Sequence, residues 1–176
     1  MKKHLKKPAF SLVEMILYIA IVSFVTVSIL LFNIQILEAN GGAKEDREVL
    51  ENARFVMNKI TDEIRHADSL DSGTGTFSSN PGAFKLNTNG TGSIVFDTAT
   101  KNVTIGENDY PIRYLRINED DTGFKQITSD RVNVTNFTVI NLQRDTEPAN
   151  IQFSLGFESI NQEASINLQS SSTIRR

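Results

Sequence analysis

The chain has 176 residues, with 18 Lys+Arg against 21 Asp+Glu and a formal charge of −3 at pH 7. Lys2, Lys3, Lys6 and Lys7 stand in the first nine residues, so the remainder carries 14 basic against 21 acidic side chains, a formal −7; that balance has no basic footprint and argues against nucleic acid as a partner. Cysteine is absent and histidine occurs twice, which excludes disulfides and thiol chemistry and leaves compactness to packing or bound ions.

The first element follows the stretch Lys6-Lys7-Pro8-Ala9-Phe10-Ser11-Leu12-Val13-Glu14, and from Met15 to Phe32 no charged residue occurs. Taken from Met15 to Leu37, the run rises about 34 Å as a helix, enough for a hydrocarbon core of about 30 Å. A transmembrane helix is therefore expected over Met15 to Leu37. Ser23, Thr26 and Ser28 fit it, because each hydroxyl can bond a carbonyl one turn back. Basic residues before the run and acidic ones after it predict a cytoplasmic N-terminus and an extracytoplasmic C-terminal domain. Glu14 is the anomaly: on insertion scales a charged side chain costs roughly 2.5–3.5 kcal/mol at the centre of a membrane helix and less at its edge, and a carboxylate against the segment calls for a partner.

A cleaved secretory signal has an apolar stretch of about 7–15 residues. This run is longer, Glu14 would interrupt its start, and Ala39-Asn40-Gly41 is a poor cleavage site. A plain signal anchor, with Glu14 reaching the headgroups, is the other reading that the residues leave open.

The combination of basic leader, small residue, Phe10, and Glu14 ahead of the apolar run resembles the type III signal peptide of the type IV pilin and type II secretion pseudopilin superfamily. The resemblance implies cleavage between Ala9 and Phe10, N-methylation of Phe10 as the new terminus, and an assembly role for Glu14. Ser11, Leu12 and Val13 match the motif too, whereas Ala9 replaces the usual Gly. It further implies inner-membrane insertion followed by incorporation into a pilus or pseudopilus. The implied partners are other pilin or pseudopilin subunits, a prepilin peptidase and methyltransferase, an inner-membrane assembly platform and membrane lipid. The freed α-amine of Phe10 and Glu14 of a neighbouring subunit would attract strongly at low dielectric, where either charge alone is expensive.

Asn33, Gln35 and Glu38 mark the exit from the bilayer, and Asn40-Gly41-Gly42 predicts a helix stop or hinge. Helix then resumes: Val49, Ala53, Val56, Met57, Ile60, Ile64, Ala67 and Leu70 recur at three- and four-residue steps along one stripe, suited to packing on a sheet. The stretch from Glu51 to Ala67 resembles the second half of the long helix in minor pilins of the PilW and J-type pseudopilin group, which implies a minor subunit.

Residues 71–92, rich in Ser, Thr, Gly and Asn, predict a linking loop with one short strand over 84–86. Strands are expected over 93–97, 102–105, 112–117, 124–128, 132–142, 151–158 and 164–168, as antiparallel meanders in one sheet. The fold class is thus α+β and, by the resemblance, pilin-like. Its parts are a basic leader (1–9), a transmembrane and assembly helix (10–38), an amphipathic helical half (39–70), the loop (71–92) and a β-rich domain (93–176).

Chemistry has few carriers in this sequence. No nucleophile motif or phosphate loop occurs, His66 reads as a solvated imidazole on a helix, and neither an enzyme activity nor a cofactor is expected. Glu119, Asp120 and Asp121, in the turn over 118–123, could give oxygens to Ca²⁺, although they lack the alternating ligands of an EF-hand.

Overall fold

A computed structural model describes residues 11–88, 90–144 and 148–175. The leader 1–9, the cleavage site at Ala9 and Phe10, and Phe10 as the methylation site lie outside the described residues. Two compact units make up the chain, Met1–Gly41 and Gly42–Arg176, and the helix α1 (Leu12–His66) contributes to both.

Ser11 starts α1 as an N-cap: its Oγ accepts the Val13 N–H at 3.3 Å, and its carbonyl accepts the Met15 N–H at 3.2 Å. Glu14 stands in the first turn, where a negative charge favours the helix dipole. The expected stop at Asn40-Gly41-Gly42 is not there, since 39–42 are helical. A glycine cap requires a left-handed backbone, and the described glycines with positive φ are Gly90, Gly106 and Gly123. Each glycine inside the helix costs about 1 kcal/mol relative to alanine, a penalty that cooperative helix on both sides outweighs.

In the second unit, two antiparallel sheets form from eight strands: β1 (Ser69–Thr76), β2 (Ala83–Thr88), β3 (Gly92–Ile105), β4 (Asn108–Glu119), β5 (Phe124–Gln126), β6 (Val132–Asn141), β7 (Asn150–Ser159) and β8 (Ser165–Thr173). The first sheet has the order β1-β2-β3-β4-β5 and the second β6-β7-β8. Both sheets are meanders, as the close spacing of the strands requires.

Three sequence-based expectations are corrected here. Residues 71–92 are not mainly a loop: the strand expected over 84–86 is the middle of β2, β1 pairs with it through Ser69↔Asn87, Leu70↔Leu86 and Asp71↔Lys85, and the connection between them is 77–82. The strands expected over 93–97 and 102–105 are one, because β3 pairs without interruption from Ile94↔Glu119 to Ile105↔Asn108. The single sheet is two, because β6 approaches β4 through a side chain and not a ladder: the Arg113 N–H donates to Asn133 Oδ1 at 2.9 Å.

One core joins the sheets and the helix. Val49, Ala53, Val56, Ile60 and Ile64 of α1 are buried in the same cluster as Phe84, Phe96, Leu115, Phe137, Phe153 and Leu155. Phe84 stacks on Phe96 at 5.0 Å between ring centroids and lies 6.3 Å from Phe137 of the other sheet. Around the core, polar side chains tie the helix to the strands and their turns. Asn52 Oδ1 accepts the Ser129 N–H at 2.8 Å, Glu48 Oε1 accepts the Ser129 hydroxyl at 2.8 Å, and Lys59 pairs with both Glu63 (2.6 Å) and Glu119 (3.1 Å).

The free edge of β6 is covered by the loop between β1 and β2. Ser78 N–H donates to the Val139 carbonyl at 2.7 Å and Gly82 N–H to the Phe137 carbonyl at 2.6 Å. Asn80 completes the seam, its Oδ1 accepting the Phe137 N–H at 3.2 Å and its Nδ2 donating to the Thr135 carbonyl at 3.2 Å. Satisfied in this way, the edge is closed to pairing with another chain.

Candidate assembly and membrane segment

Between Leu12 and Leu37 the helix is apolar on every face. Its large apolar side chains are exposed, from 42% at Ile36 to 76% at Leu12, and an 18-residue window has a mean hydropathy of 2.7 with none of it buried. A helix that is hydrophobic all round is at home in a membrane or inside a bundle, and each Leu, Ile or Phe moved out of water contributes about 1.5–3 kcal/mol. The helix is long and apolar enough to cross a membrane, and Met15 to Leu37 lie wholly within it.

Polar atoms inside the run are largely satisfied by the helix itself. Thr26 Oγ1 donates to the Val22 carbonyl, Ser28 Oγ to the Phe24 carbonyl and Asn33 Nδ2 to the Ile29 carbonyl, each at 2.8 Å. These hydroxyl and amide donors therefore add little to the cost of a dry environment. Ser23, grouped with Thr26 and Ser28 in the sequence, makes no such bond among the described residues. Glu14 is exposed and has no hydrogen bond or ion pair among the described residues.

The three calcium candidates do not come together as one set. Glu119 Oε1 takes the Lys59 ammonium at 3.1 Å. Asp120 extends the β3–β4 pairing: its N–H donates to the Ser93 carbonyl at 2.8 Å and its Oδ1 accepts the Ser93 N–H at 3.0 Å. Asp121 follows at φ 52° and lines, together with Asp120, a depression shared with Thr88 and Thr91, while Glu119 is not part of that lining. Among the described residues no group of three His, Cys, Asp or Glu side chains is placed to hold a metal ion. His66 is exposed, and its Nδ1–H donates to the Asp62 carbonyl at 2.7 Å.

Lys59 is a residue that the sequence did not single out. Its hydrogen bond to Glu63 raises its pKa above the usual 10.5, burial opposes that rise, and the bond to Glu119 reinforces it. Only the Lys59–Glu63 half was readable beforehand, as an i, i+4 pair; Glu119 enters through the fold. The same holds for Glu48, Asn52 and Ser129. No family model, curated protein or solved structure matches this chain.

Proposed function

We propose that the chain is a prepilin-like, minor structural subunit of a type IV pilus or type II secretion pseudopilus. The observation that carries this reading is Glu14: an unpartnered carboxylate in the first turn of a helix apolar on all sides, just after the Ala9-Phe10 junction of a basic leader. In this reading a prepilin peptidase cuts between Ala9 and Phe10 on the cytoplasmic side of the inner membrane, and Phe10 is N-methylated. The protein is then drawn from the bilayer through an assembly platform.

Neighbouring subunits cover each other's apolar helices, and the Phe10 ammonium of one pairs with Glu14 of the next, which sets the register of the array. The α+β domain remains extracytoplasmic and supplies the outer surface. No catalytic step belongs to the chain, which is the substrate of two enzymes. Glu14→Ala tests the pairing: the variant is expected to enter membranes at the normal level and to be missing from sheared or purified filaments. Normal incorporation of that variant would sink the reading.

A further inference from the structure

The two sheets end in four outer strands, β1, β5, β6 and β8. Three of these are protected. β1 shifts register against β2 between Asp71 and Thr76, β5 is three residues long and carries Lys125, and the loop over 77–82 covers β6. Bulges, shortness, charge and cover are the devices that keep a strand edge from pairing with another chain.

β8 has none of them. Its ladder with β7 runs without a shift from Glu158↔Ser165 to Asn150↔Thr173, and residues 164–174 include no charged side chain and no proline. Bonds at both ends of the ladder fix which groups face outward: the Ser159 N–H donates to the Ala164 carbonyl at 2.8 Å, and the Ile174 N–H to the Ala149 carbonyl at 3.0 Å. Bonded and non-bonded pairs alternate along an antiparallel ladder, so the even-numbered residues of β8 are the ones that bond β7. Ser165, Asn167, Gln169, Ser171 and Thr173 turn their N–H and C=O groups away from it, and no hydrogen bond meets these groups among the described residues. The inner face is unfinished at the same place, since Ile166 and Leu168 pack on the core but are only partly buried.

We infer that β8 takes an extended segment of a different protein as the fourth strand of its sheet, by strand addition. The chemistry of the segment follows from the edge. It runs antiparallel, as every strand pair in this domain does, with apolar residues at the alternate positions that cover Ile166 and Leu168. Exposed Glu163 precedes β8 and exposed Arg175 follows it, neither in an ion pair among the described residues. The complementary segment therefore has an acidic residue at its start and a basic one at its end. A second copy of β8 suits the edge less well: overlapped in full about Gln169, it sets Ser172 and Ser170 against Ile166 and Leu168. The site goes beyond the filament reading, being complete whether or not the chain is cut after Ala9.

The probe is a nine-residue peptide, the length of β8, with valine at its even positions, threonine at the third, fifth and seventh, aspartate first and lysine last. It is added to the full chain in detergent micelles, and amide hydrogen exchange is followed by NMR. Binding is expected to slow exchange at Asn167, Gln169 and Ser171 and to leave Leu168 and Ser170, already bonded to β7, unchanged. Directly opposite residues share a face of the sheet, so the threonines of the peptide, and not its valines, turn their N–H groups to β8. N-methylation of the central threonine is thus expected to weaken binding about tenfold, whereas N-methylation of a neighbouring valine leaves it unchanged. No slowing at the three amides, slowing without the alternation, or equal effects of the two methylations would overturn the inference. Slowing of the same amides with protein concentration alone would assign the edge to a second copy and overturn it equally.

Discussion

Replacing Ile60 with alanine separates core packing from helix propensity as the force that holds the second half of α1. Ile60 is fully buried in the cluster shared with both sheets. Alanine is the better helix former by a few tenths of a kcal/mol, so propensity alone predicts a slightly more stable protein. Packing predicts the reverse. About three buried carbon groups are lost at ~0.8 kcal/mol each, or ~2.4 kcal/mol, and the residual cavity brings the total to ~3–4 kcal/mol, within the 2–5 kcal/mol typical of such truncations.

For the unit Gly42–Arg176, an unfolding entropy of about 2.1 cal/mol/K per residue sums to roughly 0.28 kcal/mol/K, so a loss of ~3 kcal/mol lowers the midpoint by ~10 °C. Thermal and urea denaturation of the full chain in detergent micelles, followed by circular dichroism, reads this directly. Phe55→Ala is the control on the same helix, exposed and outside the core, with an expected change within about 0.5 kcal/mol. If Ile60→Ala melts within error of Phe55→Ala, the packing argument is wrong.

Gly156→Val should destabilise by about 1–3 kcal/mol through overpacking, because a Cβ there would lie 2.6 Å from both Thr135 Oγ1 and Asn167 Oδ1; urea denaturation checks it. Asn80→Ala should leave the fold intact and speed hydrogen exchange at the Phe137 amide, whose bond to Asn80 Oδ1 it removes; unchanged protection would mean that the loop does not seal the β6 edge. Asp130 accepts hydrogen bonds from Lys101 at 2.6 Å and Gln126 at 2.7 Å, and these hold its pKa below the usual 3.8. Its stabilisation is therefore present above the unfolded-state value and lost as pH falls through the lower folded-state value. Asp130→Asn should accordingly flatten the acid limb of a stability–pH curve below about pH 4, where the two forms diverge in proton uptake, and a curve superimposable on that of the parent would contradict the assignment.

How much of this was legible in the sequence depended on whether a residue's neighbours were local. The apolar run and the stripe from Val49 to Ile64 were readable because a helix places every third or fourth residue on one face, and strands β4, β6 and β7 because their alternation is clear. β1 was not: in Ser-Leu-Asp-Ser-Gly-Thr-Gly-Thr only Leu70 is large and apolar, so no alternation exists, and the strand forms because β2 offers it a ladder. Gly41 and Gly42 misled for a related reason, since glycine permits a stop without requiring one. The division into two sheets depends on whether β5 or β7 becomes the neighbour of β6, a long-range choice without a local signal. The hydrogen bond from Asn161 to Glu45 was hidden likewise, because the two stand 116 residues apart in the chain.

The central claim is that the apolar helix is the assembly segment of a processed prepilin, and the N-terminus of the protein taken from native membranes and filaments tests it most directly. Mass spectrometry is predicted to find a chain beginning at N-methylated Phe10, cleaved after Ala9 even though that residue is not glycine. A chain that still carries Met1 to Ala9 in every fraction would contradict the account, leave a fixed single-pass anchor, and remove the ammonium that Glu14 is proposed to meet.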